Sequence, residues 1–182
     1  MVDVHRESIN EENCMTISVR TERPEDVETI AQLTEAAFRG ETHSSHTEAF
    51  IINGLRRAGC LTLSLVAEDE SGIVGHVAAS PVTISSGNSG WYGIGPVSVL
   101  PDRQRRGIGS VLMLAALDEL RRLGARGCVV LGEPAYYGRF GFQADSRLVL
   151  PGVPQEYFQT LAFGPDVPVG TVRYHDAFDA TE

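Results

Sequence analysis

The turn at residues 104–110 combines residue types that suit the binding of a phosphate group. It reads Gln104-Arg105-Arg106-Gly107-Ile108-Gly109-Ser110. Glycines let backbone N–H groups approach an anion closely, and a helix that starts here adds unpaired N–H groups and the positive end of its dipole. Arg105 and Arg106 add charge and paired donors. The sequence therefore predicts an anion-binding turn.

The spacing of this turn argues against two common nucleotide-binding motifs. The Walker A pattern G-x-x-x-x-G-K-[ST] does not occur in the chain. The dinucleotide pattern G-x-G-x-x-G is incomplete, because Leu112 stands in place of the third glycine. A nucleotide-binding regulator is thus the weaker alternative. A turn without any ligand is also weak, because glycine in a helix costs about 0.5–1 kcal/mol relative to alanine.

Composition narrows the class of protein further. The chain has 182 residues, of which 42% are hydrophobic, and this fits a single globular domain. The net charge of −9 argues against a nucleic-acid binder, which usually presents a basic face. Three cysteines without a C-x-x-C spacing argue against a disulfide framework and against a zinc site, so no metal is expected.

Targeting signals are weak in this sequence. No segment reaches 18 apolar residues, and the N-terminus lacks the apolar stretch of a signal peptide. We therefore expect no membrane partner and a cytoplasmic location. Residues 1–14 are polar and lack periodicity, so we expect them to form a flexible extension.

The elements around the turn follow from hydrophobic spacing. Residues 91–100 read as a fourth strand that ends at Pro101, because proline cannot donate to a ladder. Residues 107–123 read as a helix and 128–131 as a fifth strand, which implies parallel pairing of the two strands. The other predicted elements are strands at 16–20, 61–68, 73–84, 157–163 and 169–174, and helices that start at Pro24 and cover 47–58 and 134–139.

Two segments of the chain resemble one enzyme family. The turn is similar to the acetyl-CoA loop Q/R-x-x-G-x-G/A of the GCN5-related N-acetyltransferases (GNAT), and residues 137–142 are similar to their Y-x-x-x-G-F segment. Further details resemble the bacterial YhbS-like subgroup, namely Gly75-His76, Ser80-Pro81-Val82, Gly95-Pro96, residues 132–137 and the stretch from Tyr157-Phe158 to residues 174–178.

The resemblance implies a fold and a domain plan. The fold would be α/β, with a mixed and mostly antiparallel central sheet flanked by helices, and with strands four and five parallel and splayed apart. Residues 15–182 would form one N-acetyltransferase domain, of which 145–182 would be the C-terminal extension of the subgroup. A homodimer is possible in such a family.

The resemblance also implies a cosubstrate, acetyl-CoA, and its contacts. Pantetheine would pair with the exposed edge of strand four as an added strand, and the pyrophosphate would lie over the turn. The residues expected to bind acetyl-CoA are Val97, Ser98, Val99, Gln104, Arg105, Arg106, Gly107, Ile108, Gly109 and Ser110.

The implied reaction is direct transfer of the acetyl group to a primary amine of a small molecule or a protein. Tyr137 holds the position from which the family protonates the leaving sulfur. The general base stays open, because the fourth strand contains no carboxylate; the candidates are Glu133, His76, Glu41, His43 and His46. The alternative function is a non-catalytic acyl-CoA-binding sensor or assembly module.

Overall fold

The computed structural model describes residues 16–40 and 46–179 of the chain. Within these ranges the helices are α1 (Val27–Phe38), α2 (Glu48–Arg57), α3 (Ile108–Arg122) and α4 (Pro134–Tyr137). The strands of the same ranges are β1 (Ser18–Thr21), β2 (Leu63–Asp69), β3 (Gly72–Pro81), β4 (Thr83–Ile84), β5 (Trp91–Val99), β6 (Gly127–Leu131), β7 (Leu148–Val149), β8 (Phe158–Ala162) and β9 (Gly170–Arg173).

A six-stranded sheet in the order β1-β2-β3-β5-β6-β8 forms the centre of the molecule. Neighbouring strands are antiparallel except β5 and β6, which are parallel. The predicted mixed α/β fold is confirmed. The strands expected as four and five are β5 and β6, because the short strand β4 precedes them.

One face of the sheet packs against α3. The apolar spacing of this helix buries Ile108, Leu112, Ala116 and Leu120 completely or almost completely. They meet side chains of β2, β3 and β5 in the largest hydrophobic cluster of the described residues. Gly75 of β3 lies beneath the helix, where a Cβ would contact the Leu112 side chain at 2.9 Å. This close packing fixes the start of α3 against the sheet.

Helices α1 and α2 cover the opposite face. A 3-10 turn at Pro24–Asp26 leads into α1, and the Asp26 carboxylate accepts the Arg23 N–H at 2.7 Å. Arg20 of β1 donates to Asp26 at 2.6 Å, which ties the strand to the helix start and lowers the pKa of the Asp26 carboxyl. Ile30 of α1 and Ile52 of α2 pack together on the sheet.

A second, three-stranded sheet corrects one prediction. The expected strand 73–84 is interrupted, because Pro81 ends β3 and the Val82 N–H donates to the Trp91 carbonyl. The chain then leaves the central sheet as β4, which pairs with β9. Strand β7, which the sequence pattern did not predict, pairs with the other edge of β9. The C-terminal part of the chain is thereby joined to the main domain.

Candidate active site

The central sheet opens into a fork between β5 and β6. Their pairing covers only three residues of each strand and ends at Gly93, which faces Val129. Beyond this point β5 runs on to Val99 and β6 to Leu131 without pairing to each other. The register with β3 also shifts here, where the peptide bond between Gly95 and Pro96 is cis. The expected splaying of the two parallel strands is confirmed.

Backbone alternation shows which groups of β5 face the fork. The Leu100 N–H donates to the Val74 carbonyl at 3.0 Å, and Ser98 is paired with His76 in the same ladder. Since the hydrogen-bonding direction alternates along a strand, Ser98 faces β3, whereas Val97 and Val99 face the fork. Consistently, the Gln104 side chain donates to the Val99 carbonyl at 3.2 Å.

The side chain of Ser98 is also engaged elsewhere. It is buried toward α1, where its hydroxyl donates to Thr34 Oγ1 at 3.3 Å. Of the three strand residues expected to bind acetyl-CoA, the structure therefore brings Val97 and Val99 to the fork, and it directs Ser98 away from it.

The turn before α3 presents backbone N–H groups to the same opening. Gly107 has a φ of 84°, a left-handed conformation that glycine adopts without strain. The helix's first hydrogen bond runs from the Val111 N–H to the Gly107 carbonyl, so the N–H groups of Ile108, Gly109 and Ser110 precede the helical ladder. These groups and the helix dipole form the predicted anion-binding arrangement.

The arginines of the turn fall into two groups. Arg103 pairs with Asp69 at 3.0 Å and with Asp102 at 2.6 Å, and the bonds from Ser71 and Arg103 lower the pKa of the Asp69 carboxyl. In the described part of the chain no carboxylate pairs with Arg105 or Arg106. Arg103 therefore fixes the turn to the β2–β3 hairpin, while Arg105 and Arg106 keep their charge available for a ligand.

A cleft of about 910 Å³ runs from the turn to the fork. Glu133 is the only acidic residue among the described residues that line it. Arg106 is exposed and lies outside the lining. The lining residues are Val97, Val99, Arg103, Gln104, Arg105, Gly107, Ile108, Gly109, Ser110, Gly132, Glu133, Ala135, Tyr136, Tyr137 and Arg139.

Two tyrosines of α4 close the cleft on the side of β6. A Cβ at Gly132 would overlap the Tyr137 ring, so the absence of a side chain at Gly132 makes room for this ring. A Cβ at Gly109 would contact the Tyr136 hydroxyl at 2.7 Å, which places this hydroxyl at the start of α3. Burial raises the pKa of Tyr137 to about 12, so its phenol is protonated at neutral pH.

The base candidates occupy different surroundings. Glu133 is exposed at the N-terminus of α4 and borders the cleft. His76 is completely buried, and its Nε2 lies 2.7 Å from the Ser64 hydroxyl, so it does not reach the cleft. His46 borders a separate hollow of about 330 Å³ between α1 and α2. Glu41 and His43 lie outside the described residues.

Sequence reasoning missed four residues of the cleft, namely Gly132, Ala135, Tyr136 and Arg139. The Arg139 guanidinium lies 4.5 Å from the centre of the Tyr136 ring and lines the cleft opposite the turn. Its position inside the Y-x-x-x-G-F segment was the available signal. The pairing of Gly132 with a tyrosine ring requires a contact across the loop, which local sequence does not reveal.

Comparison with known proteins identifies the family. The profile of the acetyltransferase (GNAT) domain matches residues 18–144. The chain belongs to the GNAT acetyltransferase family. It is 35% identical over 169 residues to YhbS of Escherichia coli K12, which is named an uncharacterized N-acetyltransferase, and the match covers 88% of this chain and 98% of YhbS. These names favour an enzyme over a non-catalytic binding module.

Two solved GNAT structures resemble this one over most of the chain. A GNAT family acetyltransferase from Brucella melitensis, solved with acetyl-CoA, is 52% identical with a TM-score of 0.81 and covers 91% of this chain and 99% of its own. The YhbS structure from Escherichia coli, solved with CoA, is 32% identical with a TM-score of 0.83 and covers 92% of this chain and 94% of its own.

Two further features bear on function. Among the described residues, no helix has the length and apolar character required to cross a membrane. In the same part of the chain, no three His, Cys, Asp or Glu side chains gather closely enough to hold a metal ion.

Proposed function

We propose that this GNAT protein transfers an acetyl group from acetyl-CoA directly to a primary amine. The observation that carries the proposal is the fork between β5 and β6, whose open edge continues into the unpaired N–H groups at the start of α3. This arrangement offers strand-like hydrogen bonds to an extended chain and a positive site to an anion at its end. Acetyl-CoA combines both features.

The residues present fit this cosubstrate. Arg105 and the N–H groups of 108–110 would hold the diphosphate, because no described carboxylate neutralises Arg105. Val97 and the Val99 N–H would pair with the extended arm along the fork. The cleft volume of about 910 Å³ is within the range of small-molecule sites. The acetyl-CoA complex of the Brucella melitensis relative supports the assignment.

Tyr137 would act on the leaving sulfur. Its side chain lines the cleft, and its pKa of about 12 keeps the phenol a hydrogen-bond donor at neutral pH. Full proton transfer to a thiolate of ordinary pKa, about 8.5, would be uphill from such a phenol. We therefore propose that Tyr137 donates a hydrogen bond to the developing thiolate. This bond stabilises the negative charge on the sulfur as the C–S bond breaks.

Glu133 is our proposed base for the amine. An amine must lose its proton to attack the thioester, and Glu133 is the only carboxylate among the described residues of the cleft lining. Its exposure gives it access to solvent, so the proton can leave through water. The acceptor class stays a primary amine of a small molecule or of a protein.

Calorimetry with acetyl-CoA tests the binding half of this proposal. We expect the double variant Arg105→Ala, Arg106→Ala to bind at least about tenfold more weakly, because the charge-assisted contact of Arg105 and the positive charge of Arg106 beside it are lost. The matched control is the Arg121→Ala, Arg122→Ala variant, which removes the same charge at the far end of α3 and should bind like the unmodified protein. Equal affinity of all three proteins would contradict the assignment.

The transfer half is tested by release of the CoA thiol with a panel of primary amines. Thiol release that depends on an amine, together with the acetylated amine in the mass spectrum, is the expected result. Tight binding of acetyl-CoA without any amine-dependent release would contradict acetyl transfer.

A further inference from the structure

Tyr174 lies at the closed end of the fork, although it follows β9, far along the chain. A Cβ at Gly93 would overlap its ring, so the ring rests directly on the last residue of β5 that pairs with β6. Tyr174 packs against the buried cluster that includes Trp91 and Val129. This position is outside residues 18–144, the range of the family domain.

Tyr174 and Tyr137 approach the fork from opposite faces of the sheet. Tyr137 packs with Val130 and Phe142 in the cluster beneath α3. Tyr174 packs with Val129, whose side chain points to the other face because successive residues of a strand alternate. Burial raises the pKa of Tyr174, and the nearby Tyr137 phenol raises it further. The two tyrosines thus pack on opposite faces of the sheet at the same gap.

The segment after β9 holds this ring in place. The Tyr174 and Phe178 ring centres are 4.7 Å apart. Ala177 packs against α2, where a Cβ at Gly54 would contact the Ala177 Cβ at 3.0 Å. The Ala177 N–H donates to His175 Nδ1 at 3.0 Å, which closes a compact turn. The segment is therefore anchored to a helix on one side and to β5 on the other.

The hydroxyl of Tyr174 has no partner in the described part of the protein. Within residues 16–40 and 46–179 it forms no hydrogen bond. The ring is packed at the closed end of the fork, and its hydroxyl keeps its hydrogen-bonding capacity for a ligand group that reaches this end.

The direction of β5 indicates which part of a ligand would meet this hydroxyl. The anion-binding turn adjoins Val99, at the wide end of the fork. An extended ligand anchored there runs back along β5, and the distance from Val99 to Gly93 is about 20 Å at 3.3 Å per residue. The end that carries the transferred group therefore approaches Gly93 and Tyr174.

We propose that Tyr174 forms the acceptor side of the active site, where its ring and hydroxyl contact the acetyl group of the bound cosubstrate and the incoming amine. This inference rests on the proposed function. It assigns to the C-terminal segment, outside the family domain, a direct part in substrate recognition.

Fluorine NMR tests the position without requiring a known acceptor. The chain has five tyrosines, so protein labelled with 3-fluorotyrosine gives five resonances that single Tyr→Phe variants assign. We expect the Tyr174 resonance to differ between the CoA complex and the acetyl-CoA complex, which differ only in the acetyl group. The resonance of Tyr157, just before β8, is the internal control and should be the same in both.

A Tyr174 resonance that is identical in the two complexes would overturn this proposal and leave the proposed function intact. A failure of acetyl-CoA to bind in calorimetry would instead overturn the proposed function. Calorimetry on the same labelled protein separates the two cases.

Turnover provides the second measurement, with the amine of the panel that releases the most thiol. We expect Tyr174→Ala to raise the KM for the amine about tenfold, while the Kd for acetyl-CoA changes less than about twofold. Tyr174→Phe, which retains the ring, should recover part of the amine affinity. A Tyr174→Ala variant with unchanged amine KM, or with a weakened acetyl-CoA Kd instead, would contradict the assignment.

Discussion

The two halves of the cleft are built in different ways. The half at the start of α3 comes from one continuous stretch, residues 97–110, and offers mostly backbone N–H groups. The half toward the closed end of the fork depends on side chains: Tyr137 lines the cleft in the space left by Gly132, and Tyr174, which we propose as the acceptor side, rests on Gly93.

This difference indicates how each half should respond to mutation. Recognition by backbone groups depends on the conformation of the turn and tolerates many changes of side chain. Recognition by aromatic side chains depends on individual rings and their hydroxyls. Substitutions at the closed end should therefore affect turnover more than cosubstrate affinity, and substitutions in the turn should do the reverse.

The largest effect is expected for Tyr137→Phe, which tests the half at the closed end of the fork. Loss of the hydroxyl removes the hydrogen bond to the leaving sulfur, and kcat should fall about 10²-fold or more. The Kd for acetyl-CoA should be unchanged in calorimetry. Because the pKa of Tyr137 is about 12, the loss should be the same at every pH from 6 to 9.

Steady-state thiol release with a working amine measures this prediction, and Tyr157→Phe is the matched control. A variant that retains full kcat, or whose deficit changes steeply between pH 6 and 9, would break the proposed role of this phenol.

The second prediction concerns the support beside the turn half, where His76 of β3 pairs with Ser98 of β5. His76 is buried, and burial lowers its pKa to about 4 from an ordinary value of 6.5. Because the folded pKa is the lower one, its contribution to stability is present above pH 6.5 and is lost as the pH falls toward 4. The free energy of unfolding should therefore decrease by about 2 kcal/mol between pH 7 and pH 5.

Urea unfolding at the two pH values measures this decrease. In His76→Gln the dependence should largely disappear, whereas His175→Gln, a change in a half-buried histidine, should retain it. An equal pH dependence in all three proteins would rule out His76 as its source.

The smallest effect is expected at the two glycines of the turn. A side chain is unfavourable at each of them, but for a different reason. Gly107 has a positive φ and nothing within 4 Å of its Cβ position, so Gly107→Ala should cost about 1–2 kcal/mol through backbone strain. At Gly109 the obstacle is the Tyr136 hydroxyl.

A double variant distinguishes the two reasons. Both glycine variants should weaken acetyl-CoA binding, because both distort the turn. Tyr136→Phe should restore the affinity of Gly109→Ala and should not restore that of Gly107→Ala, as measured by calorimetry. Rescue of both variants, or of neither, would contradict the two different causes.

The sequence predicted the turn half well for a physical reason. Its strand, its proline stop and its glycines are adjacent in the chain, and local pattern is sufficient to predict them. The helix was placed within about one residue at either end, Ile108–Arg122 against the predicted 107–123. The family resemblance added the fold and the order of the strands.

The closed end could not be predicted in the same way. Tyr174 reaches β5 only because β9 inserts between β4 and β7, and this pairing depends on contacts between distant residues. Likewise, the sequence offers His76 as a candidate base, since it does not show that this side chain is completely buried beside Ser64. In each case tertiary packing decides what the residue can do.

The central place of β9 in the second sheet has a consequence for how the molecule is completed during synthesis. A nascent chain that has emerged as far as α4 already contains the whole phosphate-binding turn. β4 and β7, however, have no partner until residues 170–173 arrive, and Val172 then fills the core around Trp91. The proposed acceptor side is therefore completed last, and a polypeptide interrupted before this strand would contain the proposed phosphate-binding turn but lack Tyr174.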